Sequence, residues 1–336
     1  FERFGKAEEL AVVGVSEVLA HYDQIKAVFN KLVDEAKKRR PKAVVLMDYP
    51  GFNLKLAKEL HTLGIPTVYY ISPQVWAWKK GRVKIMKKYC TEVLVVFPFE
   101  KKFYDEKGVP CEFVGHPLLD ELDEKYFQDE YRKMHRRKCG IKDDQVVVGL
   151  MPGSRKKEIE HHLPILMQVA TELYRKNKNV MVAVLAAPSV EKEQLAEKLD
   201  GLNFPYMLLK SDPMDMIHLT DVVLAASGTA TLMVGLLEKP MVIIYKVSAF
   251  TALMARLLVH GVKFFGIVNL IMEKEVVPER FQERANLKEL TRLMSRAIED
   301  PAYRGEVIAN LRELKNRLGN RGATEKVAAR LEKYFA

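Results

Sequence analysis

Three short stretches of the chain carry residues suited to binding an anion or moving a proton. In Ser227-Gly228-Thr229-Ala230-Thr231, hydroxyls and a glycine follow the apolar run Val222–Ala226 and precede a helical pattern through Leu232, Leu236 and Leu237. A turn at the amino end of a helix offers free N–H groups and the positive helix pole to a phosphate. The plainer alternative is that Ser227 or Thr229 is an ordinary N-cap. Met151-Pro152-Gly153-Ser154-Arg155 follows the apolar run Val146–Leu150 and pairs a glycine with a fixed cation. A guanidinium grips phosphate oxygens in a fork, so this loop is a second anion site. Asp48 ends the run Ala43–Met47. That is a carboxylate at the carboxyl end of a strand, where open α/β sheets hold their ligands. It either meets a ligand there or caps a turn.

Other residues are less specific. Both tryptophans, Trp76 and Trp78, lie in Ser72–Arg82 with Gln74, Lys79, Lys80 and Arg82. Aromatics there suit a sugar face and the cations a phosphate; the structural alternative is an aromatic plug with snorkelling lysines. His116 precedes a proline and reads more readily as a turn residue than as a base. His161-His162 has no carboxylate or cysteine at ligand spacing, and Cys90, Cys111 and Cys139 are scattered. Neither a metal site nor a disulfide framework is expected.

These loops need strands to hold them. Short apolar runs alternate with helical patterns along the chain, as in the βαβ units of buried parallel sheets. The 336 residues exceed what one core usually serves, so two domains are expected, 1–140 and 141–336, with the charged stretch 120–145 as helix and linker. Asn53 is expected to cap a helix over 54–63, Pro164 to sit in an early helical turn, and the tail from Asn286 to be helical. The net charge of +10 favours an acidic partner. No run of about 18 apolar residues is present to span a bilayer. No secretory leader is read at Phe1-Glu2-Arg3, and a reducing cytoplasm fits the cysteines. A helical stripe through Val15, Val18, Leu19, Tyr22, Ile25, Phe29, Leu32 and Val33 runs into Lys37-Lys38-Arg39-Arg40. It is either core or an apolar face, led by Val18, Leu19 and Tyr22, that rests on an anionic membrane. No recognition module accompanies the charge, so nucleic acid is not expected as a partner.

The motifs SPQVWAWKKGR (Ser72–Arg82), FPFE (Phe97–Glu100), VGHP (Val114–Pro117), PGSR (Pro152–Arg155), SGTAT (Ser227–Thr231), PMVIIYK (Pro240–Lys246) and Asn269-Leu270 occur in that order over nearly the whole chain. Together they resemble the lipid-A-disaccharide synthases, glycosyltransferase family 19. The resemblance implies the α/β GT-B fold, two Rossmann-like domains with a cleft between them, the first facing acceptor and membrane and the second binding UDP-sugar. It implies UDP-2,3-diacylglucosamine as donor, 2,3-diacylglucosamine 1-phosphate as acceptor and a β-1,6 disaccharide 1-phosphate as product. No metal or other cofactor is expected. The family lies on the cytoplasmic face of the inner membrane, and homodimers with exchanged C-terminal segments are implied. Its candidate base falls on Asp48. Its nucleotide-site elements fall on Ser154, Arg155, Ser227, Gly228, Thr229, Ala230 and Asn269, with Gln74 and Trp76 facing the acceptor sugar.

Three features depart from the family pattern. The family opens with a βα unit carrying a Gly-Glu-Ala-Ser-Gly-Asp loop, and Phe1 is expected to follow that unit. Met233 stands where a glutamate usually holds the ribose, and Met272-Glu273 replaces a small Ala-Gly pair. Two alternatives follow: another GT-B enzyme acting on a UDP-amino sugar, or a catalytically silent membrane-associated binding protein.

Overall fold

The computed structural model describes residues 2–4, 22–76, 81–247 and 263–335. The chain forms two α/β units, each built on one all-parallel sheet, as expected. The boundary differs from the expected 140. The first unit comprises residues 1–120 and 320–336, and the second residues 121–319. The C-terminal segment therefore belongs to the first unit, not the second.

The first sheet has the order β1-β2-β3-β4: Val44–Met47, Thr67–Tyr70, Glu92–Val95 and Cys111–Phe113. β-branched and aromatic residues dominate the middle strands, which suits a pleated, buried surface. Helices Tyr22–Arg39 and Pro50–Thr62 pack on its core, where Phe29 meets Phe52 edge-on at 5.4 Å. Ile25, Phe29, Leu32 and Val33 thus belong to packing against this core. Asn53 is not a cap: it lies buried inside the second of these helices and donates from Nδ2 to the carbonyls of Met47 and Asp48. Two acidic groups fasten the returning helix Ala323–Glu332. Asp120 accepts from the amides of Gly322 and Thr324 at its start. Buried Glu92 accepts from Arg330 and, at 2.6 Å, from Lys333.

The second sheet has the order β10-β9-β8-β5-β6-β7. Its strands are Val146–Met151 (β5), Val180–Leu185 (β6), Tyr206–Leu209 (β7), Val222–Ala226 (β8), Met241–Tyr245 (β9) and Glu279–Phe281 (β10). The chain runs outward from β5 through β6 to β7, then returns to lay β8 against the other side of β5. β10 has three residues and no apolar alternation, and it went unread in the sequence. The expected helical tail is present as Leu287–Glu299, Pro301–Arg317 and Ala323–Glu332. Helix Lys156–Lys176 runs through Pro164, which sits inside it rather than in its first turn. The charged 120–145 stretch is not merely a solvated face. From its helix Asp129–Lys138, Arg132 and Arg136 reach Asp221.

Candidate active site

All strands of a sheet point the same way, so the loops that follow them share one edge. In the first unit this edge carries Asp48, the Ser72–Trp76 loop, Phe97–Glu100 and His116, in the order of the strands. Its backbone is strained at two places. Asp48 and Tyr49 have φ of 50° and 38°, and Ile71 has φ of 55°. A β-branched residue in the left-handed region is an outlier; such conformations cost roughly 1–3 kcal/mol each and survive where their surroundings over-determine them. At Asp48 the surroundings are visible. Its backbone carbonyl accepts from Tyr69 Oη at 2.6 Å and Asn53 Nδ2 at 2.7 Å. The carboxylate stays exposed, and partial desolvation raises its pKa above the ordinary carboxylate value. A held backbone with a free, slightly more basic carboxylate suits a general base.

The neighbouring loop is more enclosed. Gln74 is exposed, Val75 buried and Trp76 half-buried, with its indole edge-on to Phe99 at 5.1 Å. His116 is buried beside Phe97, and its Nδ1 accepts the Leu118 amide. Burial drives its pKa down to about 4, so at neutral pH it is the uncharged turn residue of the plainer reading.

In the second unit, β5 and β8 are neighbours at which the strand order reverses, so the loops after Met151 and Ala226 leave the sheet side by side. Such a switch point is where open α/β sheets bind ligands. Gly153 has φ of 117°, and a Cβ there would lie 2.8 Å from Glu158, so the PGSR turn requires glycine. Glu158 closes this turn. It accepts from the amides of Ser154 and Arg155 at 3.0 and 3.3 Å, and its other oxygen pairs with the Arg155 guanidinium at 3.0 Å. Arg155 keeps 62% of its side chain exposed. The loop after β6 joins in through Ser189 Oγ, which donates to the Ser154 carbonyl at 3.1 Å.

The SGTAT turn is narrower in function than its hydroxyls suggest. Thr231 is buried and spends its hydroxyl on the Gly228 carbonyl at 2.7 Å, and the Ser227 amide goes to Ile244. The amides of Gly228, Thr229 and Ala230 meet no acceptor among the described residues. Gly228 is exposed, with open space where a Cβ would stand. The following helix, Ala230–Leu236, has seven residues, so local N–H groups rather than a long macrodipole would serve an anion. On the helix after the PGSR turn His162, not read as important beforehand, lies buried and accepts the Lys246 amide at Nε2. Together with Glu158 and Ser189 it fixes the site's geometry. The single signal available for these three was the glutamate three residues after Arg155, the spacing of a capping box.

One expectation is corrected. Asn269 is fully buried and its side chain is consumed internally: Oδ1 accepts from Val276 and Val277 amides, and Nδ2 donates to the Val277 carbonyl and Glu279. It shapes the 269–279 segment and presents no free group to a nucleotide. Glu238, unable to replace the missing glutamate at Met233, is paired with Arg312 past the far end of the 230–236 helix. Of the membrane-facing candidates, Val18 and Leu19 lie outside the described residues, and Tyr22 is 51% exposed at the start of its helix. Among the described residues no helix is long and apolar enough to cross a membrane, and no His, Cys, Asp or Glu cluster could hold a metal.

Comparison with known proteins bears on the family and the fold. The family model described as lipid-A-disaccharide synthetase matches residues 1–331. The lipid-A-disaccharide synthase of Geobacter sulfurreducens is 37% identical over 96% of this chain and 83% of its own length. That of Myxococcus xanthus is 33% identical over the same shares. Among solved structures, an S. aureus MnaA–UDP co-structure aligns with a TM-score of 0.66 over 94% of this chain and 81% of that one, at 10% identity. UDP-GlcNAc 2-epimerase from Neisseria meningitidis, bound to UDP-GlcNAc, gives 0.62 over 92% and 81%, at 15% identity. The epimerase likeness speaks to fold alone, whereas the sequence relatives and the PGSR and SGTAT turns at a strand-order reversal speak to family. The chain belongs to the lipid-A-disaccharide synthase family, glycosyltransferases of lipid A biosynthesis.

Proposed function

We propose that the protein transfers 2,3-diacylglucosamine from UDP to the 6-hydroxyl of 2,3-diacylglucosamine 1-phosphate, with inversion at the anomeric carbon. The observation that carries this reading is the placement of the 152–155 and 227–230 loops side by side at the switch point of the second sheet. Arg155 and the amides of Gly228, Thr229 and Ala230 would take the diphosphate. As the bond from the anomeric carbon to the diphosphate oxygen breaks, negative charge grows on UDP, and these donors stabilise it. In the first unit, Asp48 would accept the proton of the acceptor 6-hydroxyl as its oxygen bonds to the anomeric carbon. Gln74 and Trp76 would face the acceptor sugar. With acylated substrates the enzyme would work at an anionic membrane surface, where the exposed Tyr22 and the exposed Lys37-Lys38-Arg39-Arg40 offer an apolar and a basic contact.

Asp48→Asn tests the base, because asparagine tolerates the left-handed backbone that Asp48 adopts. Turnover of both acylated sugars, followed by UDP release, should fall about 100-fold or more. UDP affinity by calorimetry should stay within about twofold. Wild-type turnover in this variant would remove Asp48 from the reaction. Failure of the unaltered protein to form any disaccharide would favour the silent binding reading.

A further inference from the structure

We propose that Glu100 is the positioning residue of the Ser72–Trp76 loop, and that acceptor binding depends on it. This rests on the reading that Gln74 and Trp76 face the acceptor. Glu100 is 1% exposed and stands three residues after Phe97 in the loop and helix that follow β3. One of its oxygens, Oε2, accepts the Phe97 amide at 3.3 Å, which is the ordinary capping-box bond. Its other oxygen does something that a cap does not require. Oε1 accepts from Ser72 Oγ at 3.0 Å and from Trp76 Nε1 at 3.3 Å, both on the loop after the neighbouring strand β2.

The two bonds fall on either side of Gln74. Ser72 follows Ile71, whose positive φ sets the direction in which the loop leaves the sheet. Trp76 packs edge-on against Phe99, which itself stacks on Phe97 at 5.5 Å. A strained exit holds only when later contacts fix where the chain goes, and here one carboxylate holds both Ser72 and Trp76. The exposed Gln74 sits between them. The cost of burying the group is visible: burial pushes the Glu100 carboxyl up to about 7, against the lowering pull of its Ser72, Phe97 and Trp76 donors. A cap at the surface would have served the helix without that cost.

The test uses the full chain with Trp78→Phe, which leaves Trp76 as its one tryptophan. Glu100→Ala, Glu100→Gln and Ser72→Ala are compared for Trp76 emission, cooperative melting, and KM for acceptor and donor separately. Glu100→Ala should shift Trp76 emission to the red and raise acceptor KM about tenfold or more, the scale of one lost charged hydrogen bond, with donor KM unchanged. Glu100→Gln should recover part of both effects, since its carbonyl still accepts from Ser72 and Trp76. Ser72→Ala leaves the helix cap intact, so it stays informative if Glu100→Ala fails to fold; it should move both readouts in the same direction by less. Emission and acceptor KM unmoved in Ser72→Ala and Glu100→Gln, with only the melt lowered, would reduce Glu100 to a helix cap and overturn the proposal. Moved emission with unmoved acceptor KM would overturn its second half and withdraw Gln74 and Trp76 from the acceptor, leaving the reading of Asp48 and Arg155 untouched.

Discussion

The two edges of the second sheet hold similar residue types and treat them oppositely. At the amino edge Asp221 precedes β8. It accepts from Arg132 at 2.7 Å, from Arg136 at 3.1 Å and from the Val147 amide at 2.7 Å. Its pKa is held low by the two arginines and that amide, against a desolvation that would raise it. Both of its carboxylate oxygens are spent inside the fold. At the carboxyl edge Arg155 is largely exposed beside one glutamate, and three successive amides of the 228–230 turn meet no acceptor among the described residues. A carboxylate whose two oxygens are both taken by neighbours is architecture, because removing it strands its partners in a medium that solvates them poorly. A donor left facing water costs little while it waits and is repaid when an anion arrives. The number of charges does not separate the edges; what separates them is that the Asp221 carboxylate is spent inside the fold while Arg155 stays largely exposed.

That contrast predicts mirrored mutants. The largest effect belongs to the filled edge. Asp221→Asn should lower unfolding free energy by about 3 kcal/mol, the low end for breaking a buried ion pair, because Asp221 keeps 28% of its side chain exposed, while UDP affinity of the folded protein stays the same. Urea titration and calorimetry read the two quantities. At the open edge Arg155→Ala should weaken UDP binding by about 1.5–3 kcal/mol. Its melting temperature should barely move, because a surface pair such as Arg155–Glu158 is worth at most about 1 kcal/mol. A large loss of stability here, or unchanged UDP affinity, would erase the distinction between the edges.

Acid probes the filled edge through His218. It is fully buried against Tyr126, Tyr131 and His135, and burial, then Lys239, His135 and Arg132, lowers its pKa to about 3. The unfolded chain binds the proton at its ordinary value near 6.5, so below that pH the unfolded state holds more protons than the folded one. Stability from this group is complete above 6.5 and is lost as pH falls toward 3, by about 2 kcal/mol at pH 5. Denaturant midpoints in His218→Phe should be flatter with pH over that window. The smallest effect is Glu273→Gly. Glu273 adopts φ of 55° at the end of helix Ile267–Met272, where glycine fits without a side-chain clash. The change should stabilise the protein by about 0.5–1 kcal/mol, from thermal melts.

Much of this was legible in advance because the signals are local. β8 falls where its apolar run lies, and β1 and β5 within one residue of theirs, whereas β10 has no such run. PGSR and SGTAT announce themselves by glycine and hydroxyl content after a buried strand. Where the reading missed, a partner outside the local pattern decided. Asn53 looked like a cap and instead braces the Met47 and Asp48 carbonyls. Asn269 sits in a family motif but spends its amide on residues 276–279. Arg132 and Arg136 read as solvated charge until Asp221, far along the chain, came to meet them.

The order of residues alone determined the alternation of strand and helix, the parallel sheets, the position of each loop and the family, since periodicity and turn chemistry act over a few residues. Only the tertiary structure decided the strand order that sets β5 beside β8, the return of residues 320–336 to the first unit, and which polar groups remain unspent. Pairing is a long-range property: a donor is free or satisfied according to what the fold brings within about 3 Å of it, and no window of sequence contains that partner.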